Sequence, residues 1–141
     1  MKSMRSGSKL PSLSVMPEQL VAAALVSGEE AAWQQGDCEA AIDWLRHTTY
    51  PILGTELWLL KEGKISTFIN TLSGRVVHCT SCEPLKDESW DDYTQRSARL
   101  AADSIAAFRW PEDSLETCPA YFNLTWADQR WFQLLNKFVG T

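Results

Sequence analysis

No apolar run in the 141-residue chain approaches the length needed to cross a bilayer, and the N-terminus lacks the apolar segment of a secretory signal. Cytoplasmic residence is therefore expected. In that compartment Cys38, Cys79, Cys82 and Cys118 are expected to be thiols, and the Asn123-Leu124-Thr125 sequon is a coincidence. Positive charge is also short. Thirteen basic side chains face eighteen acidic ones, a formal net charge of −5, which argues against binding directly to nucleic acid or to an anionic membrane and favours a basic partner. The chain has only two histidines, His47 and His78. It has no nucleophile elbow, no glycine-rich phosphate loop and no H-E-x-x-H. Nothing in it amounts to a catalytic apparatus, so a non-enzymatic protein without cofactor or metal is expected.

One motif pulls the other way. Cys79-Thr80-Ser81-Cys82 has the C-x-x-C spacing of a metal hairpin or a redox pair. A redox pair needs its first thiol at a helix N-terminus, yet Glu83-Pro84-Leu85 follows. A structural zinc needs four ligands, so His78, His47, Cys38 or Cys118 would have to converge on the pair, and no second C-x-x-C or H-x-x-x-H supports that. The simpler reading is two thiols at a strand end. A Cys-His or Ser-His pair is arithmetically possible, but His47 reads as a helix-end side chain favoured by the dipole. His78 should face out if Val77 and Cys79 face in.

A chain of this length holds one domain and buries enough surface to fold without disulfides. Hydrophobic residues make up 45%, which is ordinary, but seven tryptophans are a heavy aromatic load for a contact surface to share. Residues 1–15, rich in Ser, Lys and Arg, are expected to be a disordered arm or an extension appended to the natural chain, and 16–141 a single α+β domain. Pro17 to Gln35 reads as a helix weakened at Ser27-Gly28. Asp37 should cap a second helix with Cys38, Ala41, Ile42 and Leu45 on its buried stripe.

The strongest signal runs from Tyr50 to Phe108. Thr55 to Lys61 is apolar on both faces, as a central strand is. Glu62-Gly63 supplies a hairpin turn, Lys64 to Asn70 alternates as a second strand, Asn70 to Gly74 turns again, and Arg75 to Thr80 is a third β-branched run. A helix opens at Ser89 with Asp92 three residues on, carries Trp90, Tyr93, Ser97, Leu100, Ala101, Ser104, Ile105 and Phe108 at helical spacing, and stops before Pro111. Ala120 to Leu124 adds a short fourth strand. Thr125 and Asp128 cap a last helix with Ala127, Trp131, Leu134, Leu135 and Phe138 on one face, ending at Gly140. The fold expected is α+β: a three- to four-stranded antiparallel sheet covered by a long amphipathic helix, with two N-terminal helices and one C-terminal helix.

Acids bracket the long helix, and aromatics interleave with them. Such runs are mostly solvated faces, but aromatic anchors ringed by charge are also the composition of binding hot spots. The candidate partner-binding residues are Asp87, Glu88, Trp90, Asp91, Asp92, Tyr93, Asp103 and Trp110.

Tyr50-Pro51-Ile52-Leu53-Gly54, Lys61-Glu62-Gly63-Lys64 and Asp87-Glu88-Ser89-Trp90-Asp91-Asp92-Tyr93, followed by Arg96-Ser97 and Ala101, resemble a family of immunity proteins that protect bacteria from polymorphic toxins. The chain departs from that pattern at Arg75 to Cys82, where the family carries a more aromatic strand. The resemblance implies a non-enzymatic inhibitor made beside its toxin that plugs the toxin's active site, and the acidic charge fits a basic, nuclease-like target. Two other readings stand beside it: a chaperone or adaptor for a secreted effector, and a small zinc or thiol protein built on Cys79 and Cys82.

Overall fold

Residues 13–128 and residue 130 are described by the computed structural model. Along them run a 3-10 turn (Leu13–Val15), helix α1 (Glu18–Ala22), strands β1 (Leu25–Ser27) and β2 (Glu30–Trp33), helix α2 (Gln35–His47), strand β3 (Ile52–Lys61), four short strands β4 (Lys64–Ser66), β5 (Ile69–Thr71), β6 (Gly74–Val76) and β7 (Cys79–Ser81), helix α3 (Trp90–Ala106) and strand β8 (Ala120–Trp126). The fold is α+β. Of the expected N-terminal arm, residues 1–12 lie outside the described residues, as do 131–141 of the expected C-terminal helix. Thr125, expected to cap that helix, instead lies within β8.

The main sheet is antiparallel in the order β1-β2-β8-β3-β4, with β7 also paired to β3. As its two-sided apolar run implies, β3 is central. Leu57 and Leu59 lie on the same face as Phe122 and Leu124 of β8, and α2 and α3 cover that face with Cys38, Ala41, Ile42, Leu45, Ala98, Ala101 and Ile105. Helix α3 is tied to the strand beneath it, because Ile52 N–H donates to Ser97 Oγ at 3.0 Å.

The main sheet has six strands rather than the three or four expected, and several further expectations are corrected. The first N-terminal helix is only five residues long, and the stretch after it is the β1–β2 hairpin, with Gly28 at φ 62° opening its two-residue loop. A loop of that size requires a positive φ at this position, so Ser27-Gly28 marks a turn rather than a weak helix. Helix α2 begins at Gln35, which places Asp37 in its first turn and not at its cap.

The second and third meander strands are each broken. Ser66 Oγ donates to Phe68 O and accepts from Phe68 N–H, a local capture that competes with the ladder. β5 and β6 consequently form a separate two-stranded sheet. His78 is half-buried while Val77 and Cys79 are exposed, the reverse of the alternation expected, because the chain leaves one sheet at Val76 and joins the other at Cys79.

The last correction concerns α3. Ser89 Oγ accepts from Asp92 N–H at 3.0 Å, as its sequence implies, but the helix ends at Ala106, well before Pro111. Tyr93, Ser97, Ala101 and Ile105 are buried, whereas Leu100 is 46% exposed.

Candidate functional site

The eight candidate residues do not form one patch. Two of them are internal. Tyr93 is 1% exposed, and its hydroxyl donates to Cys82 O at 2.6 Å; burial pushes its pKa well up. The Glu88 side chain is 9% exposed and grips Arg96 with both oxygens, each at 2.7 Å. Arg96 also donates to Glu83 O and to Cys82 Sγ, and Glu88 accepts from Leu85 N–H. The hydrogen bonds from Arg96 hold the Glu88 carboxyl below the usual carboxylate range. Together these groups clamp the 82–89 loop onto the first turns of α3. Arg96 is therefore a structural cation.

The other six fall into two groups at opposite ends of α3, which at 1.5 Å per residue are about 24 Å apart. Asp87, Asp91 and Asp92 are exposed at its start, beside half-buried Trp90, whose indole N–H donates to Thr49 O at 2.8 Å. Asp103 is exposed near its end, and Trp110 lies beyond it, packed edge-on against Phe108 at 5.8 Å between ring centroids.

A groove of about 750 Å³ opens at that second end. Gln35, Cys38, Glu39 and Ile42 of α2 form one wall and Ala102, Ile105 and Ala106 of α3 the other, and Phe108, Trp110 and Phe122 also line it. Three of its backbone carbonyls are already engaged. Gln35 Nε2 donates to Ile105 O at 2.7 Å, and Arg109 Nη1 donates to Ala106 O at 3.0 Å and Phe108 O at 2.7 Å. Sequence reasoning missed this groove because its walls come from the first turn of one helix and the last of another. The only local signal was Trp110.

The thiols do not converge. All four cysteines are free, with Cys79 exposed on β7 and Cys82 buried beneath Arg96. Burial raises the pKa of Cys82 and pushes that of Cys38 up to about 12, opposite to the shift a reactive thiolate needs. Among the described residues no cluster of three or more His, Cys, Asp or Glu is placed to hold a metal. His47 ends α2 with Nδ1 2.8 Å from Asp43 O. His78 Nε2 lies 3.2 Å from Ser104 Oγ, with its ring edge-on to Phe108 and Phe122. Ser104 is inside a helix, where its own N–H is spent on the helical ladder and cannot serve an oxyanion. No described helix is long and apolar enough to span a membrane.

A family model described as Immunity protein 40 (Imm40) matches residues 20–124, the span from α1 into β8. No curated protein and no solved structure gives a significant match.

Proposed function

The chain belongs to the Immunity protein 40 family, and from that premise we propose that it binds a cognate bacterial toxin stoichiometrically and neutralises it without chemistry of its own. The family match over most of the fold carries this reading. The partner is a basic protein, with a nuclease as the class that best suits an acidic inhibitor. All eighteen acids of the chain fall within residues 13–128, while Lys2, Arg5, Lys9 and Lys137 lie outside them, so the described body is more acidic than the whole. The contact surface is the outer side of the two-helix layer, where Asp91, Asp92 and Asp103 of α3 and Glu39 and Asp43 of α2 are exposed. Glu88 and Tyr93 support that surface from within.

The test is co-expression with the toxin encoded beside this protein's gene, together with binding kinetics. Charge-steered association slows as salt rises, with a smaller effect on dissociation. Replacing Asp91, Asp92 and Asp103 together with Asn should leave the fold intact, since all three are exposed, and should weaken both binding and protection. Full protection by the triple variant would remove this surface assignment. If no toxin is encoded nearby and none binds, the immunity reading itself goes.

A further inference from the structure

We infer that the groove at the C-terminal end of α3 is the anchor site for the partner, taking one bulky apolar side chain of the toxin that is flanked by a basic residue. This rests on the toxin-binding reading and deepens it. The groove is a slot because Ala102 and Ala106 present only methyl groups toward Ile42 of the facing helix, while Ile105, Phe108 and Phe122 contribute apolar surface. Its volume of about 750 Å³ falls in the range of ligand-binding clefts, so a bulky side chain enters with room left for its neighbours.

The carbonyls on its α3 side leave a polar occupant little to bind. The exposed helix end is closed by Gln35 and Arg109, whose donors are aimed at the carbonyls of Ile105, Ala106 and Phe108. Desolvating this floor therefore strands no carbonyl that Gln35 and Arg109 now serve, the condition under which an apolar anchor gains most. Its two bonds turn Arg109, a cation that itself lines the groove, back onto the helix end.

Charge then selects what flanks the anchor. Glu39 lines the groove, Asp37 precedes it in the first turn of α2, and Asp103 stands on α3 beside Ala102. None of these three carboxylates makes an ion pair with another described residue. An apolar side chain next to Arg or Lys satisfies both features at once: the slot takes the apolar part, and the unpaired acids meet the cation. Since the walls are two packed helices, the site is preformed and binding orders little.

Ala106 is exposed, so Ala106→Trp can fill the slot without entering the core. The probe is an active-site-disabled form of the toxin encoded beside this protein's gene. The variant should melt within a few degrees of the parent yet bind roughly tenfold to a hundredfold more weakly, chiefly through faster dissociation. Glu39→Gln with Asp103→Asn should mainly slow association at low salt. Hydrogen exchange on the unsubstituted complex gives a reading independent of any variant's folding, and residues 102–110 should gain protection. Unchanged affinity in a folded Ala106→Trp, or no protection at 102–110, overturns the anchor site while leaving the toxin reading standing. So does a self-associated protein that Ala106→Trp converts to monomer, since a second copy would then fill the groove. A parent protein that binds no toxin sinks the reading and the anchor site together.

Discussion

Thr49 shows how one residue can hold a strained position that a different residue would relieve. It follows α2 at φ 61°, with its own N–H bonded to Arg46 O and that of Tyr50 to Leu45 O, the paired closure that helices usually make through glycine. A left-handed conformation costs an ordinary residue about 1–2 kcal/mol, and glycine returns part of that as chain entropy. Thr49→Gly should therefore raise stability by about 0.5–1 kcal/mol in denaturant unfolding. The Trp90 indole bond survives, because it uses the backbone oxygen of Thr49. Gly54 is the opposite case. A Cβ there would stand 2.6 Å from Thr80 O on the paired strand, so the glycine of the Ile52-Leu53-Gly54 motif is a clearance that lets β7 approach β3. Gly54→Ala should cost about 1–3 kcal/mol, with the loss of exchange protection concentrated in β7.

At the scale of elements, α3 was legible in its start and most of its stripe but not in its C-terminal end. Leu100 fits the helical spacing of Tyr93 and Ser97, yet the residues buried beneath the helix follow 93, 97, 101 and 105, and Leu100 stands to one side of that row. Leu100→Asp should therefore change stability by no more than about 0.5 kcal/mol, whereas Ile105→Ala should cost about 2–5 kcal/mol. Strand β3 was legible because both its faces are apolar. The β1–β2 hairpin was not: Ala22, Ala23, Ala24, Ala31 and Ala32 carry no period, and the pairing that makes β2 a strand lies with Phe122 and Asn123. Asn123 adds to this by donating to Ala31 O at 2.9 Å. Such a partner is distant in sequence and leaves no local trace.

The whole molecule is held partly by carboxylates that tie loops to the scaffold. Glu88 closes on Arg96. Glu116 accepts from Lys61 and from Asn70 N–H, and Asp113 accepts from Ser73. Those donors hold all three below their ordinary values. A depressed folded pKa means that the stabilisation is complete above the unfolded value and is lost as pH falls through the folded one. Unfolding midpoints should thus be flat from about pH 7 to about pH 5 and drop from about pH 4 downward, and Glu88→Gln should both lower the plateau and soften the drop. The same clamp explains why the candidate surface was only partly legible. A run such as Asp87 to Tyr93 cannot reveal which acid is spent internally on an arginine eight residues away, or that Asp103 and Trp110 belong to the other end of the helix. One further consequence comes from the position of β8, the last strand among the described residues but seated between β2 and β3. During translation the sheet has a vacant middle until Trp126 has left the ribosome, and at about 5–20 residues per second every new molecule passes an interval in which its helices rest on a floor that lacks its β8 strand. On the toxin-binding function proposed above, only copies already finished would protect a cell, so what must be kept in reserve is a standing stock and not a rate of synthesis.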